Sequence, residues 1–164
     1  MATLHFICGK AASGKTTLAR RLATVHRAAV FVEDEWLVRL GAEIKGLEDF
    51  ARHTRHLRAA LGPHATALLK LGTSVVFDFA GNTVAHRAWV RSIFEAAGAD
   101  HRLHVIEASD ELCKARLRQR NATKPEGLYY GEVSEELFDA VTKHFVPPSE
   151  AEGFEIVNHQ AGTM

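Results

Sequence analysis

Apolar and polar positions alternate along the chain in blocks of strand and helix period. Leu4 to Cys8 is a short apolar run ending in Gly9, and a helical pattern follows from Gly14 through Leu18, Leu22 and Val25, which predicts strand, loop and helix. A second run, Ala28 to Val32, ends in the acidic triplet Glu33-Asp34-Glu35, after which Trp36-Leu37-Val38 and Leu40 predict a short helix. From Leu47 to Leu71 the pattern is helical, with Gly62-Pro63 near its middle. Gly62 suits a helix end and Pro63 a first turn, so two helices with a break are expected there.

The β-branched and aromatic run Val75-Val76-Phe77-Asp78-Phe79 predicts a buried strand. Helical periodicity returns from Thr83 to Ala97 and stops at Gly98, and Leu103 to Ile106 predicts another strand before Glu107. Ser109 suits an N-cap for a helix carrying Leu112, Ala115 and Leu117 with the basic series Lys114, Arg116, Arg118 and Arg120. A polar segment with Gly and Pro, Asn121 to Gly131, then reads as a loop or lid spanning about 116–133. Leu137, Phe138, Val141 and Phe145 give one more apolar helix face before Pro147-Pro148, and Phe154 to Val157 is the last strand. The order β-α-β-α-α-β-α-β-α-α-β predicts an α/β fold, a parallel sheet with helices on both faces.

Composition narrows the class. With 164 residues, 46% hydrophobic and 24% charged, the expectation is one soluble domain spanning 1–164. Twenty Lys and Arg balance twenty Asp and Glu, so no global field favours nucleic acid or an anionic membrane as partner. Cys8 and Cys113 lie far apart and in no metal-ligand spacing, and read as reduced, partly buried thiols. Ten histidines are many for the length and are expected to be solvated, not a metal cluster. The first residues carry no basic or long apolar leader and no run approaches a membrane span, so a cytoplasmic protein is expected.

The segment Gly9-Lys10-Ala11-Ala12-Ser13-Gly14-Lys15-Thr16 has the phosphate-loop spacing of Gly, four residues, Gly, Lys and Ser/Thr, and it lies between a strand and a helix as the mechanism requires. Backbone N–H groups of Ala12 to Thr16 can wrap a phosphate at the positive end of the helix, and Gly9 and Gly14 let the backbone approach. Lys15 would reach the β- and γ-phosphates as a compact charge, the Thr16 hydroxyl would ligate Mg²⁺, and Thr17 could contact a neighbouring phosphate. Ser13 completes the cradle, whereas Lys10 is expected to face solvent.

Two carboxylates stand at strand ends. Asp78 closes an apolar strand, where an unpaired charge is costly, and is expected to be satisfied by Mg²⁺, its water shell or the Thr16 hydroxyl; a helix cap or loop salt bridge is the alternative. Asp34 follows the second strand and is the candidate general base, with Glu33 and Glu35 as competitors. Arg116 and Arg120 share a helix face at i, i+4 and could brace a transferring phosphoryl group, or form a solvated basic face. Arg87 and Arg91, and Arg52, Arg55 and Arg58, could bind an anionic acceptor or lie plainly at the surface.

Taken together, the loop at 9–16, Asp34-Glu35-Trp36, the Val75–Asp78 strand and the series Leu112, Arg116, Leu117, Arg120, Asn121 resemble the small P-loop ATP-binding proteins grouped as AAA-family ATPases. These are similar to zeta toxin, chloramphenicol phosphotransferase and the shikimate and gluconate kinases. The resemblance implies a nucleoside-kinase-like, three-layer α/β/α fold with a five-stranded parallel sheet of order 2-3-1-4-5. It also implies ATP with Mg²⁺, an acceptor-activating Asp34 and lid arginines Arg116 and Arg120. The length leaves no room for the extra helical domain of hexameric AAA machines, and without an Asn-Lys-x-Asp motif ATP is preferred over GTP. The expected activity is transfer of the γ-phosphoryl group of Mg-ATP to a hydroxyl of a small molecule; the alternative is a regulatory ATP-binding switch without such an acceptor.

Overall fold

A computed structural model describes residues 1–162. Five strands form one parallel sheet, β1 (Thr3–Cys8), β2 (Ala29–Val32), β3 (Val75–Asp78), β4 (Asp100–Glu107) and β5 (Ile156–Gln160), in the order β2-β3-β1-β4-β5. The helices are α1 (Lys15–His26), α2 (Glu33–Arg39), α3 (Leu47–Lys70), α4 (Val84–Ala97), α5 (Asp110–Thr123) and α6 (Glu135–Thr142). β1 lies at the centre, with Phe6 opposite Phe77 on one side and Leu103 on the other, and Val32 pairs with Asp78. All strands therefore release their chain at the same edge of the sheet, where ligands of such folds bind.

Strand alternation divides the core into two layers. Leu4, Phe6, Val75, Phe77 and Leu103 pack against Leu57, Leu61, Val90 and Ile93 of α3 and α4. The opposite face puts Ile7, Val76 and Ile106 against Leu18 and Ala19 of α1. A smaller cluster of Cys113, Leu117 and Phe138 joins α5 to α6 and packs on Ala11 and Ala12, so the β1–α1 loop rests on these helices.

The expected break at Gly62-Pro63 does not occur: α3 runs unbroken from Leu47 to Lys70 with Pro63 inside it. Proline in a helix interior costs about 3 kcal/mol through the lost N–H and the crowded carbonyl. Leu57, Leu61, Ala65 and Leu69 bury one continuous stripe at i, i+4 spacing, and each large side chain contributes roughly 1.5–3 kcal/mol. Packing on both sides of Pro63 thus outweighs the local penalty, and Gly62 is buried beside Trp89 of α4 instead of ending a helix. Two smaller differences are that β5 begins at Ile156, two residues later than the apolar run suggests, and that both cysteines are fully buried.

The histidines depart most from expectation. His5 Nδ1 lies 3.0 Å from His104 Nε2, and His104 Nδ1 lies 2.9 Å from His159 Nε2. His26 stacks on His5 with ring centroids 4.4 Å apart. Four imidazoles thus form a ladder across β1, β4 and β5 beside the end of α1, with His5 and His104 buried. Burial first, then neighbouring imidazoles and Arg102, hold His5 down to about 4 and His104 to about 3.

The sign of the resulting pH effect follows from linkage. Below pH 6.5 an unfolded chain takes up protons at both positions while the folded chain does not. These two groups therefore withdraw stability progressively as the pH falls toward 4 and 3. At pH 5 the ring nitrogens of His5 and His104 are expected to keep the ¹⁵N shifts of neutral imidazole in an NMR titration. Titration of both rings with midpoints near 6.5 would show that the ladder is not packed as described.

Candidate active site

The loop between β1 and α1 is bent by its backbone. Ala12 and Gly14 take positive φ values of 57° and 108°, and a non-glycine residue in that region carries strain that the surroundings must hold in place. A side chain at Gly9 would bring its Cβ within 2.7 Å of Ser13 Oγ and 3.3 Å of Ile106, so only glycine allows the loop to close on β4. Ser13 is buried, its N–H donates to the Lys10 carbonyl at 3.2 Å and its hydroxyl has no hydrogen-bond partner among the described residues. α1 begins at Lys15 without a side-chain cap, which leaves its first N–H groups directed at the cavity.

Around this loop lies a cavity of about 500 Å³. Ala12, Gly14, Lys15, Thr16, Thr17, Asp34, Asp78, Arg116 and Arg120 all line it, while Gly9 and Ser13 support the loop from behind. Lys15 Nζ donates to the carbonyls of Gly9 (3.1 Å) and Lys10 (2.9 Å). The Thr16 hydroxyl donates to Asp78 Oδ2 at 2.6 Å. Burial pushes the Asp78 carboxyl above its usual range, opposed by the Lys15 charge and the Thr16 bond. A buried carboxylate beside a hydroxyl, short of counter-charge, is a hard oxygen pair suited to Mg²⁺, which takes few protein ligands when phosphate oxygens and water supply the rest.

The arginine pair divides between two tasks. Arg116 Nη1 donates to the Ser13 carbonyl at 3.0 Å and so touches the loop itself. Arg120 Nη2 donates to Asp34 Oδ2 at 2.9 Å and to the Leu128 carbonyl at 2.6 Å, and its guanidinium lies over the Tyr130 ring. Of the stretch expected to form a lid, residues up to Thr123 belong to α5; the segment 124–134 has neither helix nor strand, and Leu128, Tyr130 and Val133 from it line the cavity. Lys10 does not face solvent freely: it donates to the Ala108 carbonyl and to Asp110.

Several residues at the cavity carry signals that linear patterning does not reveal. Glu33 is 4% exposed, accepts from the Ala80 N–H at 3.0 Å, and lies 3.7 Å from Arg58. Burial, only partly offset by Arg58, pushes its carboxyl up to about 7. Burial, then the Asp34 charge, holds the Tyr130 hydroxyl above its ordinary pKa, so it stays protonated. Phe50 and Tyr130, both lining the cavity, stack with ring centroids 6.2 Å apart. The strand-end position of Glu33 is visible in the sequence; its burial depends on β3 and α3 closing over it.

Arg87 does not line the cavity. It is fully buried and grips Glu152 through two bonds of 2.6 and 2.9 Å, while Nη1 donates to the carbonyls of Gly81 and Val146. Arg91 donates to Glu95 and to the Glu152 carbonyl. The pair staples the 79–82 turn to the chain after α6, because a buried guanidinium needs all these acceptors to offset its desolvation. Arg52 pairs with Asp49 at the surface, and Arg55 is exposed.

A family model described as an AAA domain matches residues 4–148. Among solved structures the fold is similar to a provisionally assigned kinase of Chloroflexus aurantiacus, with a TM-score of 0.78 and 20% identity over 97% of this chain and 88% of that one. It is also similar to Kti12 of Chaetomium thermophilum in complex with ADP-AlF3 (TM-score 0.73, 15% identity, 97% and 89% covered). A sugar kinase from a Janibacter species gives a TM-score of 0.68 at 16% identity, with 98% and 86% covered. No curated protein matches the chain in sequence.

The Arg87 staple makes a direct prediction. Arg87→Met removes one partner of a desolvated ion pair and is expected to destabilise the fold by about 3 kcal/mol or more in urea unfolding. Adding Glu152→Gln, which removes the stranded charge, is expected to restore part of that loss. Equal stability of Arg87→Met and the unaltered protein would refute the staple.

Proposed function

The chain belongs to the AAA domain family matched over residues 4–148, and from that premise we propose that it transfers the γ-phosphoryl group of ATP to a hydroxyl of a small molecule. The observation that carries the reading is that one cavity holds both the phosphate loop and Asp34, with Arg120 bound to the Asp34 carboxylate from the side of α5. A pure nucleotide sensor needs the loop but not a second carboxylate lining the same cavity.

In this reading the N–H groups of Ala12 to Thr16 cradle the β-phosphate, and Lys15 exchanges its two carbonyl partners for phosphate oxygens, a stronger charge-assisted contact. Thr16 and Asp78 would hold Mg²⁺, which when bound would neutralise charge on the transferring group. Asp34 orients the acceptor hydroxyl and takes its proton as the acceptor oxygen bonds to the γ-phosphorus and ADP leaves. Arg116 and Arg120 neutralise the spreading negative charge with planar donor forks, and the 124–134 segment, acting as a lid, excludes water that would otherwise accept the phosphoryl group. The reading places all of residues 1–164 in one kinase-like domain.

Asp34→Asn removes a proton acceptor and no phosphate contact. It is expected to lower transfer by a factor of about 10² to 10⁴ while nucleotide affinity stays within about threefold. Lys15→Ala is expected to weaken triphosphate binding or turnover sharply. Transfer of γ-labelled phosphate from Mg-ATP to a small-molecule pool measures both. Label released only as free phosphate, at a rate that no acceptor raises, would replace this reading with the regulatory switch.

A further inference from the structure

β2 and β3 pair residue by residue until Val32 meets Asp78, and there the two chains part, one into α2 and the other into the 79–82 turn. Beyond that point the backbone ladder ends, and a side chain supplies the next rung. Glu33, the first residue of α2, accepts from the Ala80 N–H through Oε2 at 3.0 Å. From α3, Arg58 Nη2 donates to the Ala80 carbonyl at 3.3 Å. Arg58 also lies 3.7 Å from Glu33 Oε1, and its guanidinium sits over the Trp89 ring of α4, 5.5 Å from the centroid. Ala80 is thus gripped at its N–H and at its carbonyl by two opposite charges that reach it from different elements.

The place of this grip gives it meaning. Glu33 directly precedes Asp34, and Ala80 follows Asp78 by two residues. Other bonds hold the turn to the body of the protein: the Gly81 carbonyl accepts from Arg87 and from Cys8 Sγ, and the Asn82 carbonyl from the Val146 N–H. Those bonds do not reach α2, whereas the Glu33 bond ties the turn to the residue beside Asp34. Stability is a poor reason for using charge here. Glu33 is buried and its Oε1 makes no hydrogen bond among the described residues. Burial, offset in part by Arg58 and the Ala80 N–H, lifts its carboxyl to about 7, and the Asp34 and Asp78 charges add to the rise. The other titratable groups nearby are neutral: burial, then Arg58, holds His86 of α4 down to about 4, and Tyr130 stays protonated. A well-packed neutral pair often replaces such a buried ion pair without loss of stability.

We propose that Glu33 and Arg58 are positioning residues, which clamp the Ala80 backbone and so hold Asp78, the candidate Mg²⁺ ligand, in register with Asp34, the candidate base. This rests on the phosphotransfer reading for the tasks of the two aspartates and adds to it two residues that act through the backbone. An ionised Glu33 accepts the Ala80 N–H more strongly than a neutral one and keeps Arg58 drawn toward the same residue. Loss of either charge loosens the turn that follows Asp78, while the phosphate loop keeps its own supports.

The test is calorimetric binding of a non-hydrolysable ATP analogue to the full chain, with and without Mg²⁺. The gain in affinity that Mg²⁺ brings is expected to shrink by about tenfold or more in Glu33→Gln and in Arg58→Met, as when the outer support of a metal ligand is removed. Affinity without Mg²⁺ is expected to be unchanged. The double variant, Glu33→Gln with Arg58→Met, leaves no stranded charge, so it is expected to melt close to the unaltered protein yet to show the same reduced gain. In an NMR titration the Ala80 amide of the unaltered protein is expected to shift with a midpoint near 7, a step that Glu33→Gln abolishes. An undiminished Mg²⁺ gain in the folded double variant, an equal loss of affinity without Mg²⁺, or an Ala80 step that survives Glu33→Gln would overturn the proposal. Turnover of γ-labelled Mg-ATP separates the two readings. Label released only as free phosphate, with the Mg²⁺ gain reduced as described, sinks the phosphotransfer reading alone; transfer to a small molecule with an undiminished gain sinks the clamp alone.

Discussion

A single hydrogen bond, from the Thr16 hydroxyl to Asp78 Oδ2, joins the two segments on which the cavity is built. Thr16 stands in the first turn of α1 and Asp78 at the end of β3, 62 residues apart in sequence. The bond sets where the loop ends relative to the sheet edge. β1 and β3 are neighbours in register, and Val32 is paired with Asp78, so the same register that brings Asp78 to Thr16 also brings the start of α2, with Glu33 and Asp34, to the rim. The positive φ values at Ala12 and Gly14 are tolerated because both ends of the loop are held: by β1 on one side and by this bond on the other.

That dependence explains which parts of the molecule are legible from its residues. The phosphate loop is a contiguous motif whose function lies in its own backbone, so spacing alone locates it. Asp34 and Asp78 are legible because a parallel sheet delivers strand ends to one edge, and Arg116 and Arg120 because helix spacing puts them on one face. The order of the strands followed from resemblance and is the order observed.

The features that were not legible are those set by distant partners. Pro63 reads as a break because local propensity cannot weigh the stripe from Leu57 to Leu69 that packs on either side of it. Arg87 reads as an acceptor-binding or surface cation because its partner, Glu152, lies 65 residues further on. The histidine ladder needs the registers of β1, β4 and β5 at once: His5 sits opposite Arg102, two positions from His104, and His159 opposite Ile106. Glu33 and Asp34 are adjacent in sequence yet differ in surroundings, since helical geometry turns one inward onto Ala80 and Arg58 and the other toward Arg120.

Arg120 bonds at once to the carboxylate at the end of β2 and, through the Leu128 carbonyl, to the irregular segment over the cavity. The two contacts share one nitrogen, so any shift of the segment alters the charge felt by Asp34, and any change in that charge alters how firmly the segment is held. Such a shared donor is a thermodynamic link, and links are reciprocal. A molecule that draws Arg120 toward itself loosens the covering segment by the same free energy with which opening that segment weakens the molecule's hold. Occupancy of the cavity and the hold on that segment would thereby be coupled through one guanidinium, with no need for a signal carried across the sheet.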